Sequence, residues 1–461
     1  MTNVLDVAAA HATRYLDGLS DRPIPASAGV AELRRRLGRP LPDEGMAADA
    51  VIDELVRDAE GGILGSGSGR FFGWVIGGAL PAALAADWLT SAWDQNAASN
   101  ATAPAEAVVE EICGTWLKQL FRIPSGASFA FVTGCQMAHT TALAAARNKL
   151  LRDHGWDVER SGLAGAPALR ILTTENRHES IIRSARLLGL GTEAIDYLAS
   201  DNMGQMQMGA LEAALQRIGE APVVVCLQAG DLNTGVFDPF ERACQVAHAA
   251  KAWVHIDGAI GLWVAASALY RHLLTGADGA DSWATDAHKW LNVPFDSGLV
   301  FVAHAAAHRA AFAQETSYSI PREELRNQKD WNPEWSRRGR GFPVYAAMRA
   351  LGRSGIAGIV ERCCAHADRL VSSIGELPGA EVVAKPVINQ GLVRFLSRGG
   401  NHDQFTDKVI RRIQSRGVAW FGGSTWRGMR VMRISVCNWL TSDDDIARTI
   451  ASVKEALADA S

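Results

Sequence analysis

Five short, continuous apolar runs decide what this chain can fold into: SFAFVTG (128–134), ALRILTT (168–174), APVVVCLQ (221–228), AWVHID (252–257) and SGLVFVA (297–303). Helix-like segments separate most of them. A strand that is apolar on both sides is covered on both faces, so the pattern predicts an α/β domain with a mostly parallel sheet between helices.

The 461 residues suit two or three domains. With 48% hydrophobic and 21% charged residues, the chain is neither disordered, collagen-like nor a disulfide mini-scaffold. A formal net charge of -4 leaves no basic surplus to neutralise phosphates, so nucleic acid is not the expected partner. Seven cysteines without CxxC spacing read as reduced thiols of a cytoplasmic protein, with no metal site. The start, MTNVLDVAAAHATRYLDG, does not read as a secretory signal. The longest apolar stretch, Trp74 to Ala86, is broken by Gly and Pro and too short to span a bilayer, so no membrane partner is expected.

Along the chain, residues 1–95 read as an N-terminal helical segment, 96–345 as a large domain and 346–461 as a smaller α+β domain. GGILGSGSG (61–69) reads as a mobile link. The polar, Arg-rich stretch from about 315 to 341 reads as a functional loop. In the last domain GLVRFLS and MRVMRISVCN are strand candidates, and a final helix starts near Asp443.

Several residues can carry chemistry. Lys289, one of eight lysines, stands between a His and a Trp in a weakly charged segment. Desolvation lowers a lysine's pKa and equips it to form a Schiff base with an aldehyde; the alternative is a surface lysine packed on Trp290. Asp257 ends an apolar strand, where open α/β sheets bind ligands; it can pair with a protonated ring nitrogen or simply cap a turn. At Thr133-Gly134 a strand meets a helix that starts near Cys135, and free N–H groups there suit a phosphate. His178 lies between a strand and a helix, where it can stack on a flat ring or cap the helix. Asn233 and Thr234 can bond a cofactor hydroxyl or make an Asx-type turn. Arg433, on a late strand, can meet a substrate carboxylate or be an ordinary strand-edge arginine.

The order of these pieces, with NTGVFDPF, HIDGAIGLW, DAHKWLNVPFDSG and RISVCNWLTSDDDI, resembles the pyridoxal-phosphate-dependent amino acid decarboxylases related to the aromatic L-amino acid and glutamate decarboxylases. The resemblance covers roughly residues 70 to 445. It implies the aspartate aminotransferase fold (fold type I, a seven-stranded sheet), pyridoxal 5'-phosphate as cofactor, an amino acid substrate and a homodimer. It makes Lys289 the Schiff-base lysine, Asp257 the partner of the pyridine nitrogen, and His178 the residue stacked on the ring. Ala259 would lie under the other face and His288 by the phosphate or the lysine, with Gly134, Cys135, Gln136 and Asn233 completing the cofactor contacts. FFGW with LPAALAADWL resembles the substrate segment, which nominates Phe72, Trp74 and Trp93, together with Arg433, for substrate binding. Aromatic residues there suggest an aromatic or bulky amino acid.

Two departures from the family pattern stand out. The phosphate turn has Cys135-Gln136-Met137-Ala138-His139 where Ser or Thr and an acid are common. The loop matching the family's mobile, tyrosine-bearing loop, Tyr318 to Arg338, has no tyrosine after Tyr318; Gln328, Lys329 or Trp331 falls near the expected place. The expected reaction is decarboxylation to the amine. The alternatives are another reaction at Cα (lyase, aminotransferase, or decarboxylation coupled to oxidation) and a non-catalytic relative.

Overall fold

A computed structural model describes residues 3–314 and 326–460. The chain forms two compact units. The larger comprises Gly77–Asp368 and Ala384–Gly391; the smaller comprises the residues up to Ile76, Arg369–Val383 and those from Leu392 on.

The larger unit holds the seven-stranded sheet: β1 (Ser128–Val132), β2 (Arg170–Thr174), β3 (Ile195–Leu198), β4 (Val223–Gln228), β5 (Trp253–Asp257), β6 (Ser282–Asp286) and β7 (Gly298–Val302). Their order is β1-β7-β6-β5-β4-β2-β3. Strands β2 to β6 run parallel, and β7 runs opposite to its neighbours β1 and β6. This is the mostly parallel, covered sheet that the apolar runs predict. Two strands were not among those runs. β3 lies at the sheet's edge and carries Asp196 and Tyr197; β6, SWATD, is polar in composition yet buried throughout.

The helix Cys135–Asp153 packs on this sheet through small side chains. Ala138, Ala142, Ala145 and Ala146 meet a core that includes Ile171, Val224, Trp253, Ala284 and Val300. Each fully buried Val, Ile or Phe stabilises such a core by about 1.5–3 kcal/mol. The register aligns Gln228 with Asp257, Asp257 with Ala284, and Asp286 with Gly298. The carboxyl ends of β4, β5 and β6 therefore share one edge with the start of β7. Gly298 permits this: a Cβ there would lie 2.4 Å from the Cα of Gly134.

In the smaller unit, helices Val4–Asp17 and Ala48–Ala59 pack together. A four-stranded sheet lies at the other end of the sequence: β8 (Ala380–Ala384), β9 (Gln390–Phe395), β10 (Gly422–Trp426) and β11 (Met429–Ser435), ordered β10-β11-β9-β8. GGILGSGSG is not the mobile link expected from its composition. Asn438 Nδ2 donates to the carbonyls of Gly67 and Ser68, and Thr441 Oγ1 to that of Gly69. These glycines serve close packing. Among the described residues no helix is long and apolar enough to cross a membrane.

Candidate active site

The site grows out of the end of β6. Asp286 closes that strand, and Lys289 follows three residues later with its Nζ 2.9 Å from Asp286 Oδ2. Asp286 Oδ1 accepts the backbone N–H of Cys135 at 2.6 Å, so one carboxylate binds the lysine and the first residue of the helix Cys135–Asp153. The Lys289 side chain is only 21% exposed. Burial pulls its ammonium pKa down, but Asp286, aided by Asp257, outweighs burial and holds it above the ordinary lysine value. This reverses the lowered pKa expected from desolvation alone. Asp286 belongs to no motif of its own in the sequence, although it stands i−3 to the lysine.

Asp257 ends β5. Its Oδ1 accepts the N–H of Ala259 at 3.1 Å and lies 4.0 Å from Cys135 Sγ; its Oδ2 lies 3.4 Å from His139 Nε2. Burial pushes its pKa up, yet His139, His178 and Lys289 draw it well below the usual carboxylate range. Burial, with Asp286 and Asp257, holds the Cys135 thiol protonated. Cys135, His139 and Asp257 bring one potential ligand atom each within 4.8 Å of one another.

His178 does what its capping alternative predicts: its Nδ1 accepts the Ser180 N–H at the start of the helix Glu179–Leu187. An accepting Nδ1 leaves the proton on Nε2. Burial lowers its pKa, and its ring is close enough to feel Asp257 and Lys289. His288 Nδ1 accepts the Ser297 N–H at 3.1 Å, and its Nε2 lies 3.5 Å from Asp286. Gly134 faces this ring: a Cβ there would lie 3.2 Å from His288 Cε1. The amide of Gln136 donates to Ser184 Oγ at 3.0 Å. Asn233 sits in the loop after β4, where Asp231 Oδ1 accepts the N–H groups of both Asn233 and Thr234. Asp231 is thus the organiser of an Asx-type turn and had no sequence signal beyond the Gly-, Asn- and Thr-rich loop.

Lys289, Asp257, His178, His288, Gly134, Cys135 and Ala259 gather in this way around the carboxyl edge of the sheet in the larger unit. Trp93 belongs to the same unit, edge-on to Phe342 at 4.9 Å. Phe72, Trp74 and Arg433 belong to the smaller unit. Phe72 is fully buried against Phe421, while Trp74 is exposed and stacks on Trp420 at 4.7 Å. Tyr318 lies outside the described residues. The segment from Arg326 to Arg338 is packed: Arg326 lies over the rings of Phe129 and Trp331, and Arg326 and Arg337 both pair with buried Glu110. Gln328 is buried and Lys329 Nζ lies over the Trp335 ring.

Residues 31–398 match the family model described as the pyridoxal-dependent decarboxylase conserved domain. The chain belongs to the pyridoxal-dependent decarboxylase family. That membership fits the donor set on the sheet edge: a buried amine, a carboxylate held ionised and a neutral imidazole are the groups a pyridoxal cofactor uses. Similar members of known activity include the L-2,4-diaminobutyrate decarboxylase of Rhizobium meliloti (strain 1021), 27% identical over 90% of this chain and 83% of that protein. The aromatic-L-amino-acid decarboxylase of Bacillus atrophaeus is 23% identical over 96% of this chain and 92% of its own length. The fold is that of the crystal structure of Oryza sativa TDC with PLP and tryptamine, with a TM-score of 0.92, 21% identity, and coverage of 99% of this chain and 97% of that one.

Proposed function

We propose that this chain decarboxylates an L-amino acid of aromatic or bulky type to the amine and CO2, using pyridoxal 5'-phosphate attached at Lys289. The observation that carries the assignment is the convergence of Lys289, Asp286 and an ionised Asp257 at one sheet edge. The bound cofactor supplies the electron sink for the bond broken at Cα. Asp257 offers a fixed negative charge to a protonated ring nitrogen. Lys289 offers the attaching amine, and Asp286 holds that amine in place at 2.9 Å. His178, neutral and fixed by Ser180, offers a flat face. His288 and Gly134, Cys135 and Gln136 form the turn assigned to the phosphate, and Asn233 the neighbouring polar loop.

The substrate class rests on the exposed indoles of Trp74 and Trp93 and on the aromatic substrates named for one of the similar decarboxylases. Arg433 is the candidate for the substrate carboxylate. Borohydride reduction of the loaded protein, followed by peptide mass spectrometry, tests the attachment. The cofactor's mass is expected on the peptide containing Lys289; on another lysine it overturns the assignment.

The proposed working form is a cytoplasmic homodimer. Seven free, buried cysteines suit a reducing compartment. Leu89 and Trp93 share one face of the helix Pro81–Trp93 and are exposed, as are Trp88 and Phe295. Light scattering is expected to give twice the 49.4 kDa chain mass, and an active monomer overturns the dimer.

A second reading is favoured by the segment 326–338, which has no tyrosine and whose Gln328, Lys329 and Trp331 are packed. Where no group supplies a proton at Cα, dioxygen would take up the electron pair left as CO2 departs: one amino acid, one dioxygen and one water would give an aldehyde, CO2, ammonia and hydrogen peroxide.

A further inference from the structure

His139 is a buried histidine on an alanine-rich helix, and the cofactor assignments above give it no role. Its Nδ1 lies 2.9 Å from Nε2 of His255, on β5. Nδ1 of His255 lies 2.9 Å from the hydroxyl of Ser282, on β6, and that hydroxyl oxygen accepts Nε1–H of Trp253 at 2.9 Å. At the other end, His139 Nε2 faces Asp257 Oδ2 at 3.4 Å, an electrostatic contact longer than a good hydrogen bond. The two imidazoles stand edge to face, with centroids 5.1 Å apart. His139, His255 and Ser282 are all wholly buried.

The chain is anchored at its far end: an indole N–H only donates, so Trp253 fixes Ser282 Oγ. Burial, the largest cause, depresses the pKa of His255 to about 3, so His255 is neutral. Its two ring nitrogens are held by Ser282 and His139, and the contact at His139 Nδ1 turns Nε2 of His139 toward Asp257. Burying three polar side chains is unfavourable unless each is satisfied. Packing alone would be served as well by apolar residues of similar size.

We propose that His139 is a positioning residue for Asp257: through the Trp253–Ser282–His255 chain it presents a fixed N–H that keeps this carboxylate anionic and oriented for the ring nitrogen of the cofactor. The inference rests on the assignment of Asp257 to that nitrogen. Asp257 is also faced by His178, Lys289 and the Cys135 thiol, with Asp286 beyond them. His139 is backed by a hydrogen-bond chain that leads away from the cofactor groups.

The test compares two cofactors on full-length apoprotein: pyridoxal phosphate and its deaza analogue, in which C–H replaces the ring nitrogen. Dissociation constants are measured for the wild type, His139→Phe, Ser282→Ala and Asp257→Asn. His139→Phe is expected to weaken pyridoxal phosphate by about tenfold, the effect of a change of about one unit in the ionisation balance of Asp257, and to leave the analogue within about twofold. Ser282→Ala, a milder change that keeps the test open should the Phe variant not fold, is expected to show the same selectivity at about threefold. Equal loss for both cofactors, or no loss, overturns the inference. If Asp257→Asn discriminates between the cofactors and the other two variants do not, the inference alone fails. If Asp257→Asn does not discriminate, the assignment of Asp257 fails, and this inference with it.

Discussion

Lys289 and Asp286 meet at 2.9 Å across the end of one strand, and the same carboxylate caps the helix that begins at Cys135. The pairing holds the lysine charged against its burial. A charged amine cannot attack an aldehyde, so capture of the cofactor requires its proton to leave.

Asp286→Asn should therefore shift capture to lower pH. With the carboxylate gone, burial is the largest influence left on Lys289, and burial lowers its pKa. The rate of pyridoxal phosphate uptake by apoprotein, measured from pH 6 to 10, is expected to reach its plateau at least about one pH unit lower than in the wild type. An unchanged profile would show that Asp286 does not control the lysine.

Gly77→Ala tests how tightly the lysine turn is held. A Cβ at Gly77 would lie 2.1 Å from the carbonyl oxygen of Lys289, and Gly78 N–H is held by Asn292 Oδ1 at 2.6 Å. The methyl group must push backbone aside, a strain of about 1–3 kcal/mol. Both the melting temperature and the bound cofactor per chain should fall. A variant with wild-type values for both would contradict this packing.

His308 gives the acid sensitivity a sign. It is fully buried between Ser128 Oγ and the carbonyl of Trp331, and burial lowers its pKa from 6.5 to about 3. Between those pH values the unfolded chain binds a proton that the folded chain refuses. Stability is therefore lost as the pH falls through that window, by up to about 1.4 kcal/mol per pH unit from this residue. In urea titrations from pH 4 to 6, His308→Gln should be less stable at neutral pH and show a shallower pH dependence. A slope equal to that of the wild type would contradict the assignment.

The central strands were legible because their runs are apolar on both faces. β6 was not, because its polarity serves the interior: Ser282 accepts from Trp253, and Asp286 binds Lys289 and Cys135. Lys289, Asp257 and His178 could be picked out from strand ends and neighbouring motifs. His139 and His255 could not, since 116 residues separate them and only the packing of the helix Cys135–Asp153 against β5 brings them together. GGILGSGSG misled for a related reason: composition alone does not distinguish glycine used for freedom from glycine used for close approach.

The most direct measurement is product analysis by mass spectrometry after the cofactor-loaded protein meets a panel of L-amino acids, aromatic ones and L-2,4-diaminobutyrate included, in air and without oxygen. The account predicts an amine and CO2 in equal amounts from an aromatic or bulky amino acid in both atmospheres. An aldehyde formed only in air would replace that reaction with the oxidative one. No CO2 from any amino acid, with the cofactor still bound at Lys289, would contradict the proposed decarboxylation.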